Sequence, residues 1–206
     1  GTRNELWPMY LEKAYARYHG SFSALDGGLV HTALVALTGL PGFCVDMQGE
    51  EANIRSGALF KRILGYHKAG HLMGCSSNSG SDSSISAKGI VQGHAYSILN
   101  VVEASDHRGT YQLIHARNPW GSCEWKGKFA DHDELRWTKR LRTKLSYDPD
   151  QEDSDDGVFW MLFCDFVTQF RNLYVLHHFK DIKEDPVNGW YKYTNNGEWK
   201  GATSGG

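Results

Sequence analysis

Long hydrophobic runs are missing from this sequence of 206 residues. The longest apolar run covers residues 158–164, which is far shorter than the roughly 20 residues that a membrane-spanning helix needs. The start of the chain also lacks a basic segment followed by an apolar one, the pattern of a secretory signal. We therefore expect a soluble segment that makes no membrane contact.

An excess of charge of one sign is also absent. The chain has 22 Lys and Arg residues against 24 Asp and Glu residues, so its formal net charge is −2. Such a balance gives no global attraction to nucleic acid and argues against a nucleic-acid partner. A peptide or a small molecule is the better expected partner.

Cysteine is scarce, and no Cys-x-x-Cys pair occurs. The four cysteines are Cys44, Cys75, Cys123 and Cys164. Their wide spacing argues against a disulfide framework and against structural zinc, although distant cysteines can still pair. The same usage suits a reducing compartment, so we expect an intracellular, cytoplasmic protein. Any link to a membrane would lie in other parts of a full-length protein.

Hydrophobic periodicity predicts two helices in the first third of the chain. The first would be capped by Asn4 and ended by Gly20, with an aromatic core side formed by Trp7, Leu11, Ala14 and Tyr18. The second is predicted over residues 50–68, with a buried side formed by Ile54, Ala58, Leu59, Ile63 and Tyr66.

Strand-forming sequence follows the helices. The runs cover residues 94–102, 111–117, 158–163 and 173–179. Helices followed by strands predict one α+β domain with an antiparallel sheet. Residues 76–89 are rich in Ser, Gly, Asn and Asp and predict a mobile loop. Because this loop leads into His94, it is either a flap over a substrate cleft or an ordinary surface loop.

Two segments carry the candidate chemistry, Gly-His-Ala-Tyr-Ser at residues 93–97 and Arg-Asn-Pro-Trp-Gly at residues 117–121. A histidine carries protons usefully only when another group holds its ring, and an asparagine oxygen holds it without adding a charge. His94 and Asn118 therefore supply two of the three groups of a cysteine-protease triad. Taken singly, His94 could equally be a core histidine, Asn118 part of a plain turn, and Trp120 a core aromatic.

These motifs, with Glu-Trp-Lys-Gly at residues 124–127 and Gly-Val-Phe-Trp-Met at residues 157–161, resemble the calpains, the intracellular calcium-dependent cysteine proteases. Leu-Glu-Lys-Ala-Tyr-Ala at residues 11–16 is similar to a calpain helix. Residues 81–82 and 89–93 look most like plant-type and protist calpains. The resemblance covers nearly the whole chain.

The resemblance implies a papain-like α+β fold with N-terminal helices packed on an antiparallel sheet. Residues 1–180 would form the second lobe of the protease core. Residues 181–206 would be a linker and the incomplete start of a following β-sandwich domain.

By the same resemblance, His94 and Asn118 act with a cysteine of the first lobe, in a Gln-Gly-x-Cys-Trp setting that this sequence lacks. Trp120 would shelter the bond between His94 and Asn118 from water. The implied partners are the cysteine-bearing first lobe of the same protein and protein substrates. We therefore expect the chain alone to show no peptidase activity.

The cysteines that are present do not fit the role of nucleophile. Cys75 is the best placed in sequence, but it ends a predicted strand rather than beginning a helix whose N-terminus could lower a thiol pKa. Cys44 and Cys164 have the apolar neighbours of small core residues. We reject Cys75 as catalytic.

Calcium is the cofactor that the resemblance implies. Calcium binds six or more oxygen ligands, and Glu124, Asp131 and Asp156 match carboxylates of the calpain site, while Ser154 matches a backbone-carbonyl ligand. Val158 stands where many calpains have glutamate, which removes one ligand. The acidic run over residues 148–156 is otherwise typical of a solvated loop.

A zinc site is the rival metal hypothesis, because His67, His71 and Cys75 are spaced four apart. Gly70 and Gly74 interrupt the helix that this site would need. We therefore disfavour zinc.

Two classes of function remain open. One is the His/Asn-bearing half of a calcium-dependent cysteine endopeptidase. The other is a non-enzymatic calpain-like module that responds to calcium or binds peptides. The residue at the cysteine position upstream would discriminate between them.

Overall fold

A computed structural model describes residues 6–148 and 155–179. The described residues form six α-helices and six β-strands, with two short 3₁₀ turns at Ser23–Leu25 and Met47–Glu50. In chain order the elements are α1 (Trp7–Tyr18), α2 (Val30–Thr38), β1 (Gly42–Asp46), α3 (Glu51–Arg55), α4 (Ala58–Lys68), β2 (Leu72–Ser77), β3 (Ala95–Ser105), β4 (Thr110–Arg117), α5 (Lys139–Leu145), β5 (Val158–Leu162), α6 (Phe163–Gln169) and β6 (Phe170–Leu176).

The strands form one six-stranded antiparallel sheet in the order β1-β6-β2-β3-β4-β5. The four predicted strands correspond to β3, β4, β5 and β6, and the predicted α+β class is confirmed. β3 and β4 are consecutive and form a long hairpin whose register pairs Ser97 with Arg117. The start of β3 therefore lies beside the end of β4, which brings His94 and Asn118 to the same end of these two strands.

The main hydrophobic core lies between α4 and the sheet. Leu59, Phe60 and Ile63 of α4 are fully buried, and Phe60 packs against Phe163 with ring centroids 5.2 Å apart. Burial of a side chain of this size stabilises the fold by roughly 1.5–3 kcal/mol. A second cluster surrounds Trp160 of β5 on another part of the sheet. These two clusters fix the strands on which the candidate site is built.

The first predicted helix is confirmed, but its predicted core side is wrong. Trp7 is 64% exposed and Tyr18 is 77% exposed, and Leu11 and Ala14 are exposed as well. Ala16 is the residue of α1 that is buried. Periodicity identified residues that share a face of the helix, but no described element covers that face. The helix cap is Leu6, and the predicted cap Asn4 lies outside the described residues.

The second predicted helix is interrupted. Gly57 has a φ of +74°, a left-handed conformation that glycine adopts without strain, and it separates α3 from α4. Leu59 and Ile63 are buried as predicted, whereas Ala58 is exposed. The predicted core side is therefore correct at Leu59 and Ile63 and wrong at Ala58, the first residue of α4.

Some predictions concern parts of the chain that this structure does not describe. The predicted linker at residues 181–206 is one of them, so the boundary at residue 180 stays a prediction. Within the described ranges, none of the helices combines the length and apolar character needed to cross a membrane.

Candidate active site

His94 immediately precedes β3, at the end of the glycine-rich and serine-rich loop. The loop is held by its own backbone hydrogen bonds, among them Ser86 N–H to Ile90 C=O at 2.8 Å. Gly93 has a φ of +59°, and a Cβ added there would lie 2.2 Å from the Gly80 carbonyl oxygen. These contacts fix the backbone of the loop that precedes His94. The mobility of the loop stays a prediction.

Asn118 follows β4 and holds the His94 ring. The His94 Nε2 atom lies 2.9 Å from Asn118 Oδ1, and Asn118 is fully buried. The predicted pairing of histidine and asparagine is therefore present in the structure. The alternative of a core histidine is not supported, because His94 is only partly buried.

The neighbours of Asn118 fix which ring nitrogen carries the proton. Asn118 Nδ2 donates to the Ser122 carbonyl oxygen at 2.7 Å, and Asn118 Oδ1 accepts from the Trp120 N–H at 3.1 Å. Since Oδ1 can only accept, His94 must donate through Nε2–H. The neutral ring then keeps its lone pair on Nδ1, which has no hydrogen-bond partner among the described residues and is open to solvent.

Trp120 lies over the histidine ring. The ring centroids of His94 and Trp120 are 4.3 Å apart with an interplanar angle of 45°. Trp120 is 51% exposed, so it is not a core aromatic. The predicted role of Trp120 in sheltering the bond from His94 to Asn118 stays a prediction.

None of the described cysteines forms a hydrogen bond with His94. Cys75 is completely buried, and burial raises the pKa of its thiol well above the ordinary value. Cys44 and Cys164 are exposed, so their prediction as core residues is wrong. All four cysteines are free, and among the described residues none is hydrogen-bonded to His94. The rejection of Cys75 as nucleophile agrees with its burial.

Two of the four predicted calcium ligands form a buried carboxyl pair. Glu124 and Asp131 are 8% and 9% exposed, and their side chains are hydrogen-bonded to each other. Burial, followed by the bond to Asp131, raises the pKa of Glu124 to about 8. Two carboxyl groups can share a hydrogen bond only if one carries a proton, so the pair holds a proton at neutral pH.

Further contacts fix this carboxyl pair. Gly157 N–H donates to Glu124 Oε1 at 2.7 Å, and the Tyr147 hydroxyl donates to Asp131 Oδ1 at 3.1 Å. The Tyr147 ring stacks on Trp137 with centroids 4.1 Å apart. Nothing in the local sequence of Tyr147 marks its contact with Asp131, so this contact was not predicted.

The remaining predicted metal ligands are less well placed. Asp156 acts electrostatically on Glu124, but its Oδ1 accepts from the Val158 N–H at 2.8 Å. Ser154 lies outside the described residues. Across residues 6–148 and 155–179, no group of three or more His, Cys, Asp or Glu side chains is arranged to hold a metal ion. In particular, His67, His71 and Cys75 do not form such a group.

Comparison with known proteins identifies the family of this chain and several relatives. The calpain family of cysteine proteases matches residues 1–177. The chain is 44% identical over 207 residues to the calpain-type cysteine protease ADL1 of Oryza sativa subsp. japonica, covering 99% of this chain and 9% of that protein. It is 43% identical over 206 residues to the calpain-type cysteine protease DEK1 of Arabidopsis thaliana, covering 98% of this chain and 9% of that protein.

An animal relative is similar over the same extent. The chain is 34% identical over 215 residues to the calpain-1 catalytic subunit of Rattus norvegicus, covering 98% of this chain and 28% of that protein. The chain thus spans only about a tenth of the plant relatives and less than a third of the animal one. With the family match covering residues 1–177, the chain belongs to the calpain family of cysteine proteases.

Proposed function

We propose that this chain is the His/Asn-bearing half of the catalytic domain of a calcium-dependent cysteine endopeptidase. The observation that carries the proposal is the hydrogen bond of 2.9 Å from His94 Nε2 to the buried Asn118 Oδ1. This bond directs the basic Nδ1 atom outward, where a thiol of the cysteine-bearing first lobe would meet it. On this proposal the chain is inactive alone. The burial of Cys75 and the absence of a hydrogen bond from any described cysteine to His94 support it.

The roles of the residues follow from this geometry. His94 Nδ1 takes the proton of the thiol, and the resulting thiolate attacks the peptide carbonyl carbon. The imidazolium then returns the proton to the departing amine, which leaves a thioester. His94 next takes a proton from water, whose oxygen attacks the thioester carbonyl carbon. The carbon–sulfur bond breaks, the acid product leaves, and the imidazolium returns the proton to the thiolate. Throughout, Asn118 keeps Nε2–H in place without a charge that would trap the proton on the ring.

The exposed face of α1 supports docking of another lobe. Trp7, Tyr10 and Tyr18 lie on one side of α1 and are all more than 60% exposed. A group of large apolar side chains in water is typical of an interaction surface. We assign this face to the first lobe, which would cover these side chains in the assembled catalytic domain.

The proposal is tested by reconstitution with the cysteine-bearing segment of the same protein. Hydrolysis of a fluorogenic peptide is measured with each part alone and with both together in calcium. We expect activity only in the mixture, and none when the nucleophilic cysteine is replaced by serine. Hydrolysis by the present chain alone would contradict the proposal, and an inactive mixture that still binds peptide would favour the non-enzymatic module.

Calcium is part of the proposal because the donor chemistry fits. Glu124 and Asp131 form a buried pair of oxygen ligands that retains a proton in place of a counter-ion. These two residues would hold the ion, with Asp156 and Ser154 as the further ligands that the family resemblance implies. A bound ion would supply the positive charge that lets both carboxyl groups ionise.

Calcium binding is expected to release a proton. Because the pKa of Glu124 is raised to about 8, the carboxyl pair is protonated at pH 7 and must lose about one proton per ion bound. Titration calorimetry at pH 7 in two buffers of different ionisation enthalpy measures this number. The number should fall as the pH passes 8, and the variant Glu124→Gln should bind calcium more weakly without proton release.

Two results would contradict the calcium assignment. One is the absence of binding heat in the parent chain at millimolar calcium. The other is unchanged binding in Glu124→Gln, since the carboxyl group would then not be a ligand.

The remaining parts of the proposal concern the whole protein. We propose protein substrates and a cytoplasmic location, which the four free cysteines support. Neither nucleic acid nor a membrane is a proposed partner of this segment, because the formal net charge is −2 and the described helices include no membrane span.

A further inference from the structure

The main chain of His94 is held by one side chain, that of Ser77. His94 N–H donates to Ser77 Oγ at 3.0 Å, and Ser77 Oγ donates to the His94 carbonyl oxygen at 3.2 Å. The Ser77 N–H donates to the same carbonyl oxygen at 2.9 Å. Three hydrogen bonds therefore connect Ser77 to the peptide groups of His94.

The sheet geometry explains why a hydroxyl is needed here. The regular pairing of β2 with β3 ends at Ser76 opposite Ala95. The pairing of β2 with β6 shifts register between Ser76 and Ser77. Beyond that point the N–H of His94 is bound by the Ser77 hydroxyl rather than by a backbone carbonyl. Ser77 is 4% exposed, so water has little access to replace its hydroxyl.

The residues on either side of His94 are fixed independently of Ser77 Oγ. Gly93 N–H donates to the Asn78 carbonyl oxygen at 2.8 Å. On the other side, Ala95 pairs with Ser76 in the sheet. The Ser77 hydroxyl therefore acts at the one residue between these two anchors.

We propose that Ser77 is a positioning residue for His94. Its hydroxyl fixes the His94 peptide groups so that Nε2 stays within reach of Asn118 Oδ1 and Nδ1 faces the docking lobe. Hydrogen bonds weaken steeply with displacement and misalignment, so a small shift of this backbone would loosen the 2.9 Å bond. The significance of this role for catalysis rests on the proposed function, but the contact itself does not.

The experiment is nuclear magnetic resonance on the parent chain, Ser77→Ala and the matched control Ser76→Ala. Ser76 lies on the same strand, but its hydroxyl contacts Tyr174 and Asn172 instead of His94. Two signals are followed: exchange of the His94 amide hydrogen, and the side-chain Hε2 proton of His94. Exchange of the Cys75 amide in the middle of β2 reports the stability of the strand itself.

In Ser77→Ala, the His94 amide is expected to exchange about tenfold faster or more relative to the Cys75 amide. The Hε2 signal should broaden or shift as its bond to Asn118 loosens. Ser76→Ala should leave both signals as in the parent. An equal rise in exchange at Cys75 and His94 would overturn the inference, because Ser77 would then act only on general stability.

The outcome separates this inference from the proposed function. Unchanged His94 signals in Ser77→Ala would overturn the positioning role and leave the proposed function intact. A parent chain whose neutral His94 carries its proton on Nδ1 would contradict the proposed function, whatever Ser77→Ala does to the exchange of the His94 amide.

Discussion

Replacement of His94 by alanine is expected to lower kcat for peptide hydrolysis by about 10²–10⁴-fold, measured on the chain assembled with its cysteine-bearing lobe. Under the proposed function, the variant removes the atom that would accept the thiol proton and later protonate the leaving amine. Because this ring transfers a proton rather than binding the peptide, KM should change far less than kcat. Steady-state kinetics with a fluorogenic peptide measure both constants.

The matched control is His107→Ala. His107 is exposed in the turn between β3 and β4, where its ring accepts a hydrogen bond from Arg108 Nε at 3.3 Å. This variant should keep the parental kcat, since His107 takes no part in the contacts around Asn118. A His94→Ala protein with more than a tenth of the parental kcat would show that another group carries the proton.

The pairing of His94 with Asn118 could be predicted from the sequence because their two motifs lie at the ends of consecutive predicted strands. An antiparallel hairpin brings the start of one strand beside the end of the next, so His94 and Asn118 meet once β3 and β4 pair. Family resemblance selected this interpretation over a core histidine and a plain turn. The exposure of Trp120 argues against a core aromatic, and the sequence alone could not supply that exposure.

Burial was predicted less well than secondary structure. Periodicity indicates which residues of α1 share a face, but it does not indicate what packs against that face. Cys44 has apolar neighbours on both sides, yet it lies on the edge strand β1 and is exposed. Similarly, Cys164 in the first turn of α6 is exposed. Local composition could not distinguish these positions from core positions.

Contacts that depend on sheet register could not be predicted from the sequence. Ser77 lies opposite His94 because it follows Ser76, which pairs with Ala95 in the register of β2 with β3. Tyr147 reaches Asp131 because α5 folds back beside the loop that carries the carboxyl pair. Serine and tyrosine are common surface residues, and only the three-dimensional arrangement distinguishes these two.

The half-buried His115 predicts the second large effect, a dependence of the free energy of unfolding on acid pH. His115 lies on β4, and its ring stacks on Trp160 with centroids 4.2 Å apart and an interplanar angle of 5°. The Nε2 atom is buried without a hydrogen-bond partner among the described residues. Burial lowers the pKa of His115 to about 4, because the charged ring would lose its hydration without gaining a partner.

The sign of the effect follows from proton binding. Unfolded chains hold histidine with a pKa of about 6.5, so between that value and about 4 the folded state binds fewer protons. The contribution of His115 to the free energy of unfolding should therefore be highest above pH 6.5 and should fall as the pH drops towards 4. Between pH 7 and pH 4.5 this one group accounts for about 2–3 kcal/mol.

The variant His115→Phe isolates this contribution. Phenylalanine keeps an aromatic ring beside Trp160 but cannot take up a proton. Urea unfolding measures the free energy of unfolding at pH 7 and at pH 4.5. The value at pH 7 minus the value at pH 4.5 should be smaller by about 2–3 kcal/mol in the variant than in the parent. The other titrating groups are common to both proteins, so they cancel in this difference. An equal change in the free energy of unfolding in the two proteins would mean that the folded state already accommodates a charged ring at position 115. Trp160 and its neighbours would then be more open to water than the packing around β4 indicates.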